Sequence, residues 1–308
     1  MSSSDASAAD AGVEEACRLA TEDPEALLAL VGPTASGKTS LAIRLGERLG
    51  GEVISADSVQ IYRGFDVGSG KPTPSERARV PHHLVGVLDP FEPADAARYA
   101  VLAGKAIEEV RSRGRRPIVC GGTFLWIKAL WYGLAPAPPA DEAVRARHRE
   151  QAERMGRASL HQDLSRLDPE SARRLHPNDL VRVSRALEVH ELTGRPMSEW
   201  QAEHGFATAR ERLRLLGPRC DRKEHDARIE ARVRRWLAEG WVEEVRGLVA
   251  KGYGDARAMG SVGYKQVREH LAGRIPESEL SGAIVRATRV YVRRQRTWLR
   301  RAEVAWVG

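Results

Sequence analysis

The sequence lacks any apolar run that approaches the roughly 20 residues a helix needs to cross a bilayer. Its polar, acid-containing N-terminal segment also lacks the basic start and the apolar middle of a secretion signal. These absences argue against a membrane protein or a membrane partner, and they lead us to expect a cytoplasmic location.

Cysteine is scarce, and Cys17, Cys120 and Cys220 lie far apart without a CxxC pair. This spacing encodes neither a disulfide framework nor a zinc site, so we expect reduced, structural thiols. His82 and His83 are adjacent, and neighbouring side chains of a strand point to opposite faces. Because no cysteine or carboxylate stands at ligand spacing beside them, we interpret both histidines as structural.

Positive charge is in excess, since 49 lysines and arginines outnumber 42 aspartates and glutamates and the net charge is +7. Such an excess suits a nucleic-acid partner. Arginine greatly outnumbers lysine and alanine is abundant, which is also the product of a biased genome. The bulk charge alone therefore leaves the partner open.

Strands and helices alternate from about residue 25 onward. Apolar runs predict strands at residues 27–31, 52–55 and 117–120, and helical periodicity predicts helices at 39–49 and 94–113. Alternation of this kind indicates a parallel α/β sheet flanked by helices.

Composition divides the rest of the chain. Residues 1–24 are rich in Ser, Ala and Asp without a clear period, which predicts a disordered or loosely helical extension. The Ala-Pro-Ala-Pro-Pro segment at 135–139 is a stiff linker, and a charged helical stretch follows it. A returning strand at 212–217 and basic helices at 225–301 complete the pattern. We predict a P-loop-type α/β core at 25–133 and 206–308, interrupted by a helical subdomain at 134–205.

A phosphate-binding signature lies between the first predicted strand and the first predicted helix. Residues 32–39 match GxxxxGK[ST] at every fixed position. In such a loop successive backbone N–H groups turn toward an anion, and the following helix N-terminus adds positive charge. We expect Lys38 to reach the outer phosphate and Thr39 to hold Mg²⁺. The predicted cradle comprises Gly32, Pro33, Thr34, Ala35, Ser36, Gly37, Lys38 and Thr39.

The signature does not identify the phosphate ester. In P-loop nucleotidases a metal-holding acid ends an apolar strand, whereas the strand at 117–120 runs into Gly121, Gly122 and Thr123. The missing carboxylate argues against an ordinary ATPase.

Asp57 directly follows the second predicted strand. Ligands of such sheets sit outside the carboxyl ends of the strands, so Asp57 should face the phosphate loop. Its carboxylate could coordinate a metal or take a proton from a nucleophile. The alternative is that Asp57 caps the next turn.

Seven segments, spread in order over about residues 27–301, resemble the tRNA dimethylallyltransferases. The resemblance implies a P-loop-derived α/β core with a helical insertion that clamps the tRNA anticodon stem-loop. It implies transfer of a dimethylallyl group from dimethylallyl diphosphate to N6 of adenosine 37, with Mg²⁺ and a compact, bacterial-type enzyme. We separately expect a monomer, although the sequence does not determine the oligomeric state. The segments are Gly32-Pro33-Thr34-Ala35-Ser36-Gly37-Lys38-Thr39, Ser55-Ala56-Asp57-Ser58-Val59-Gln60-Ile61-Tyr62-Arg63, Gly121-Gly122-Thr123, His176-Pro177-Asn178-Asp179, Arg185-Ala186-Leu187-Glu188-Val189, Val262-Gly263-Tyr264-Lys265 and Gln295-Arg296-Thr297-Trp298-Leu299-Arg300.

The resemblance also implies roles for single residues. Asp57 matches the base at the adenine N6, and Arg232 matches an arginine that contacts the diphosphate. The segment 259–261 departs from the family pattern, so the likeness there rests on residues 263–265. The implied catalytic set is Asp57, Lys38, Thr39 and Arg232. The implied tRNA contacts are Asp57, Ser58, Val59, Gln60, Thr123, Arg145, Val181, Arg182, Val183, Ser184, Arg185, Gly260, Ser261, Val262, Gly263, Tyr264 and Lys265.

Two arginine-rich helices also fit a simpler interpretation. Arg and Glu alternate around Arg232, which is typical of a solvated helix face. The last helix, predicted at 281–301, either tracks phosphates or is an amphipathic surface helix, and we expect Trp298 to serve packing. Its arginines at helical spacing are Arg286, Arg289, Arg293, Arg296 and Arg300.

Three other functions remain open at this point. A small-molecule or nucleoside kinase would bind ATP in the same loop and use Asp57 on a hydroxyl, but the basic C-terminal half would be unexplained. An ATP-switched RNA-binding protein would leave Asp57 without a role. A transferase acting on free AMP would have no use for the insertion.

Overall fold

The computed structural model describes residues 3–205, 209–210 and 212–308. The remaining positions, 1–2, 206–208 and 211, belong to the predicted N-terminal extension and to the start of the second core segment, and they lie outside this description. Side chains of the first helix are described from Asp10 onward.

Six strands form a single sheet in which every pairing is parallel, as the alternation of strands and helices predicts. The strands are β1 Leu27–Val31, β2 Gly51–Ala56, β3 His82–His83, β4 Arg116–Gly121, β5 Leu213–Pro218 and β6 Val304–Val307. Their spatial order is β3-β2-β4-β1-β5-β6. β1 and β2 are buried along their whole length. β1 is a continuous apolar run, as expected for a strand covered on both faces, whereas β2 includes the buried polar residues Glu52 and Ser55.

Fourteen helices are present in the described residues. They are α1 Ser3–Glu22, α2 Lys38–Leu49, α3 Pro74–Arg79, α4 Ala96–Ser112, α5 Phe124–Tyr132, α6 Glu142–Met155, α7 Arg157–Leu167, α8 Pro169–Arg174, α9 Leu180–Thr193, α10 Met197–His204, α11 Arg222–Ala238, α12 Trp241–Ala250, α13 Tyr264–Leu271 and α14 Glu277–Leu299. Short 3-10 turns occur at Tyr253–Asp255 and Arg257–Gly260. Local sequence explains several starts: Asp95 caps α4 and Asp221 caps α11 with their carboxylates.

The N-terminal extension is the main correction to the predicted organisation, because helix α1 replaces the disordered or loosely helical segment. Its apolar side packs on α2 and β6, and Glu14 forms an ion pair with Arg48 at 2.5 Å. Tertiary packing rather than a strong local signal stabilises this helix, which is why the sequence pattern missed it. Its fully buried residues are Val13, Ala16 and Ala20.

Parallel pairing brings three strand ends to one edge of the sheet. β4 lies between β1 and β2, so Cys120 pairs with Leu30 on one side and with Ser55 on the other. The chain therefore leaves three neighbouring strands at the same edge. The phosphate loop follows β1, Asp57 follows β2 and Gly122 follows β4.

The chain divides into two compact units. One comprises the described residues of 1–131 and 211–308, and the other comprises those of 132–210. The second unit is helical, from α6 to α10, where the sequence predicts a helical insertion at 134–205. Its interior contains the apolar side chains Leu160, Leu164, Val183 and Leu187.

Several smaller features complete the description. The edge strand β6 and helix α5 are not among the elements that the sequence predicts, and α14 begins earlier than predicted. Cys17, Cys120 and Cys220 are free thiols. His82 Nδ1 contacts the Val80 carbonyl and His83 contacts Glu52, which agrees with structural roles. Across the described residues, no helix is both long and apolar enough for a membrane span.

Candidate active site

The phosphate loop joins β1 to α2. Gly37 adopts φ 97°, a left-handed conformation that favours glycine, and α2 begins directly after it. The Lys38 ammonium lies over the loop and donates a hydrogen bond to the Pro33 carbonyl at 2.9 Å. Burial, with a smaller contribution from the Arg232 guanidinium, lowers the pKa of Lys38 to about 8. A cation this poorly solvated is ready to exchange its carbonyl contact for an anion.

Asp57 forms the turn that follows β2. Its Oδ1 accepts hydrogen bonds from the amides of Val59 at 2.9 Å and Gln60 at 3.2 Å. The capping alternative is thus realised by one carboxylate oxygen. Asp57 also lines a cavity at the strand ends, so capping and a chemical role are compatible in the same side chain.

The neighbours of Asp57 organise this edge of the sheet. The Ser58 amide donates to Thr123 Oγ1 at 3.1 Å, which links the turn after β2 to the segment after β4. Gln60 Nε2 donates to the carbonyls of Ser69 at 3.2 Å and Gly70 at 3.0 Å. Ser58 and Gln60 therefore hold the polar rim of the cavity in one arrangement.

Arg232 reaches the same cavity from α11. Its guanidinium lies 4.1 Å from the centroid of the Trp236 ring, a cation–π arrangement. Burial lowers the pKa of Arg232 to about 10, and Asp57 partly offsets this effect. The solvated-face alternative is wrong for Arg232, which lines the cavity, although Arg234 and Arg235 on other faces of α11 are exposed.

The cavity has a volume of about 300 Å³ and is lined by residues of the first unit. Lys38, Asp57 and Arg232 contribute its charged groups, and Thr39 is among the polar residues that line it. An apolar and aromatic wall comprises Ile229, Val233, Trp236, Trp241, Tyr264 and Ile284. One cavity thus combines two cations, one carboxylate and an apolar wall.

The stretch 260–265 approaches the cavity from the C-terminal half. Gly260, Ser261 and Val262 line it, whereas the Lys265 side chain is exposed. The buried Tyr264 hydroxyl donates to Glu244 Oε1 at 2.6 Å. Of the six positions in this stretch, Tyr264 has its side chain engaged inside the protein.

The other predicted tRNA contacts lie in the helical unit. The guanidinium of Arg145 pairs with the buried Glu188 at 2.9 Å, and Arg185 pairs with the same carboxylate at 2.6 Å. Val181 and Arg182 are exposed on α9. The predicted contacts Val183 and Ser184 have buried side chains, and Ser184 bonds His148, so neither side chain reaches the surface.

Arginines of α14 are less available than their spacing suggests. Arg289 pairs with Glu230 at 2.8 Å, and Arg296 contacts His225 at 2.8 Å. The Trp298 ring stacks on Phe124 with centroids 4.2 Å apart, which agrees with the expected packing role. Part of this basic helix is therefore used for contacts within the first unit.

Sequence reasoning missed several residues of the cavity. The rings of Trp236 and Trp241 meet edge to face, with their centroids 5.5 Å apart. Tyr291 is a third such residue, and burial raises its pKa to about 12. The helical spacing of 229, 232, 233 and 236 is a signal that was available, because these positions share one face of α11. Trp241 and Tyr291 lie on other helices and carry no local signal.

Comparisons with known proteins agree with this geometry. The model of the IPP transferase family matches residues 60–302, and that of the isopentenyl transferase family matches residues 25–81. The chain is 66% identical over 290 residues to the tRNA dimethylallyltransferase of Sorangium cellulosum, covering 94% of this chain and 92% of that one. It is 50% identical over 283 residues to the enzyme of the same name from Geobacter sulfurreducens, covering 91% of both.

Solved structures show the same relationship. The full-length tRNA isopentenylpyrophosphate transferase of Bacillus halodurans is 37% identical with a TM-score of 0.66, over 92% of this chain and 89% of that one. A eukaryotic dimethylallyltransferase, described as acting on tRNA, is 26% identical with a TM-score of 0.68, over 89% of this chain and 70% of that one. On the identity and coverage of these matches, the chain belongs to the IPP transferase family.

Proposed function

We propose that this chain transfers a dimethylallyl group from dimethylallyl diphosphate to N6 of adenosine 37 in tRNA and releases diphosphate. The observation that carries the proposal is the composition of the cavity, in which Lys38, Arg232 and Asp57 stand beside an apolar, aromatic wall. The matched relatives carry the name tRNA dimethylallyltransferase, which supports dimethylallyl transfer to tRNA. The two cations suit the anionic leaving group, and the apolar wall suits the prenyl chain. The carboxylate suits an amine that must lose a proton.

The diphosphate binds between the phosphate loop and Arg232. Negative charge accumulates on the leaving oxygens as the allylic carbon–oxygen bond breaks, and donors already in position stabilise that charge best. Lys38 and backbone N–H groups of the phosphate loop, residues 32–39, supply donors on one side. The planar guanidinium of Arg232, held by its contact with Trp236, supplies two donors on the other.

Asp57 accepts the proton that N6 releases. The lone pair of an adenine amine is delocalised into the ring, so attack on the allylic carbon needs a base that acts as the bond forms. Oδ1 of Asp57 is used by the turn, and Oδ2 is therefore the oxygen that receives the proton. The turn bonds orient the carboxylate and limit its freedom before the substrate arrives.

The RNA reaches this carboxylate only after adenosine 37 leaves the stacked anticodon loop. The extruded base and its neighbours are contacted by Ser58, Val59, Gln60 and Thr123. The stretch of residues 260–265 contacts the anticodon loop. In the helical unit we propose that Val181, Arg182, Arg145 and Arg185 contact the stem-loop, since their side chains are exposed or half-buried. Val183 and Ser184 support this surface from inside.

The site can accommodate Mg²⁺ if substrate phosphate oxygens supply most of the ligands. The Thr39 hydroxyl lines the cavity, and no cluster of three or more His, Cys, Asp or Glu side chains suited to a metal occurs in the described part of the chain. Mg²⁺ commonly retains waters and binds mainly through substrate phosphate oxygens, so one hydroxyl suffices. Bound there, Mg²⁺ would neutralise charge on the diphosphate. We further propose that the protein is cytoplasmic and monomeric, as the sequence analysis leads us to expect.

A test of the function combines purified protein and Mg²⁺ with an anticodon stem-loop that carries adenosine at position 37. Parallel reactions receive dimethylallyl diphosphate or ATP, and mass spectrometry reads the RNA. A prenyl mass gain that requires the diphosphate supports the proposal. Consumption of ATP without RNA gain would identify a kinase, and prenylation of AMP in preference to the stem-loop would identify a transferase for the free nucleotide.

A further inference from the structure

Two consecutive peptide units of the phosphate loop, one on each side of the Thr34 Cα, are each held by a distant side chain. The Thr34 carbonyl accepts a hydrogen bond from His225 Nε2 at 2.7 Å, across 191 residues of sequence. The Thr34 amide donates to Gln295 Oε1 at 2.9 Å, across 261 residues. With Arg296, which contacts His225, these residues form what we name the loop latch.

The partners of His225 determine its tautomer. A carbonyl only accepts hydrogen bonds, so Nε2 carries the proton toward Thr34. A guanidinium only donates, so Nδ1 is the acceptor for Arg296 Nη2 at 2.8 Å. His225 is fully buried, and that burial lowers its pKa. It is therefore a neutral imidazole that donates to the phosphate loop.

Gln295 anchors the preceding peptide unit, between Pro33 and Thr34. Its Nε2 donates to the Gly122 carbonyl at 3.1 Å, at the end of β4. A Cβ added at Gly122 would lie 2.5 Å from that nitrogen, so glycine leaves the space that Gln295 occupies. The Gln295 side chain is buried and thus ties the phosphate loop to the centre of the sheet.

The latched peptide precedes a residue in an unfavourable conformation. Ala35 has φ 64°, in the left-handed region that residues with a Cβ seldom adopt. The carbonyl and the N–H of a trans peptide point in opposite directions. Holding the Thr34 carbonyl therefore fixes the direction of the Ala35 amide, and Ala35 lines the cavity. Without the latch this peptide would be free to rotate toward a more relaxed conformation.

We infer that His225 and Gln295 are positioning residues for the phosphate loop. Gln295 holds the peptide between Pro33 and Thr34, and His225 holds the peptide between Thr34 and Ala35 in the orientation that receives the diphosphate. Neither residue is among those that line the cavity, so each acts through the loop. The inference rests on the proposed function only for the identity of the ligand. A disturbed latch should weaken diphosphate binding while RNA binding is unchanged.

The test compares His225→Leu, which removes both contacts, with His225→Gln, whose amide still donates to the Thr34 carbonyl. Calorimetry measures the affinity for inorganic diphosphate, and steady-state kinetics separates the KM of dimethylallyl diphosphate from kcat. His225→Leu should weaken inorganic diphosphate binding and raise this KM roughly tenfold, with a smaller change in kcat. His225→Gln should restore both values to within about twofold of wild type.

A matched control separates positioning from general stability. His270 also contacts a main-chain carbonyl, that of Ile275 at 2.8 Å, but belongs to α13 and does not contact the phosphate loop. His270→Leu should leave diphosphate affinity unchanged. If His225→Leu fails to fold, His225→Asn replaces it, because its shorter amide keeps an acceptor for Arg296 and loses reach to Thr34.

The outcomes distinguish the latch from the proposed function. Wild-type diphosphate affinity in both His225→Leu and His225→Asn, or an equal loss in His270→Leu, would overturn the latch. A wild-type protein that binds diphosphate but never prenylates the stem-loop would overturn the proposed function instead, while the binding arm would still test the latch.

Discussion

Asp57 has two roles in the proposed mechanism, and its two oxygens divide them. Oδ1 accepts the turn bonds from Val59 and Gln60. Oδ2 is left for the substrate. A neutral amide can preserve the first role but cannot accept a proton in the second, so substitution of Asp57 can separate geometry from chemistry.

Asp57→Asn should keep the turn and the affinity for the anticodon stem-loop while turnover falls by about 10² to 10⁴. Single-turnover prenylation and fluorescence anisotropy of a labelled stem-loop measure the two quantities. Asp95→Asn is the matched control, because the Asp95 carboxylate also accepts a hydrogen bond from a main-chain N–H, that of Arg98, but does not line the cavity. Near-normal turnover in Asp57→Asn would show that Asp57 is not the base.

The lowered pKa of Lys38 predicts how kcat/KM depends on pH. Burial lowers its pKa to about 8, so in the free protein the ammonium loses its charge as the pH rises through that value. Only the charged form attracts the diphosphate strongly. The kcat/KM of dimethylallyl diphosphate should therefore fall between pH 7 and 9.5, approaching tenfold per pH unit above the pKa, in steady-state assays.

Lys38→Met is the control for this profile. It should have a lower kcat/KM at neutral pH and should lack the decline near pH 8, because no ammonium remains to titrate. A wild-type profile that stays flat over this range, or a decline of equal size in Lys38→Met, would contradict the assignment of Lys38 to the diphosphate.

At the scale of single elements, α11 links the loop latch to the cavity. His225, Ile229, Arg232 and Trp236 recur at three- and four-residue spacing and share one face of the helix. His225 holds the phosphate loop, and Ile229, Arg232 and Trp236 line the cavity. Asp221 caps the start of α11, so the position of this face depends on a local signal.

The packing of helix α1 predicts how substitutions on its two sides change Tm. Ala16 is fully buried against the first unit, and a long charged side chain has no space there. Ala16→Arg should lower Tm by roughly 5 to 10 °C through overpacking and burial of charge. Ala11→Arg, on the exposed side of the same helix, should change Tm little. Equal Tm values for the two variants in thermal unfolding would mean that α1 does not pack as described.

At the scale of the whole molecule, a net charge of +7 is compatible with RNA binding but does not locate it. The helical unit offers a matched pair of arginines. Arg182 and Arg166 have side chains 74% and 76% exposed, and each pairs with an aspartate three residues earlier. They differ in that only Arg182 belongs to the stretch that we propose for the stem-loop.

Arg182→Ala should weaken stem-loop binding several-fold and reduce the slope of log Kd against log salt by about 1. Arg166→Ala should leave both quantities unchanged. Titrations at several salt concentrations measure the slope, and kcat at saturating RNA should be preserved in both variants. Equal losses in the two variants would indicate a diffuse charge effect rather than a contact at α9.

Much of the sheet follows from local pattern. The run at 27–31 coincides with β1, and the predicted parallel sheet places the ends of β1, β2 and β4 together. The placement of Asp57 at the same edge as the phosphate loop is therefore predictable from the parallel arrangement of the strands. By contrast β6 is four residues long at a sheet edge, and its pairing with β5 depends on a neighbour that no local pattern reveals.

By itself the sequence determined the parallel α/β class, the phosphate loop and the position of Asp57 at a strand end, because periodicity and short motifs encode local structure. Only the tertiary structure decided that Arg232 faces a cavity, that α1 is packed, and that Val183 and Ser184 are buried. The loop latch was decided there too. Its contacts join residues 191 and 261 positions apart, and such pairs meet only when the completed fold brings their elements together.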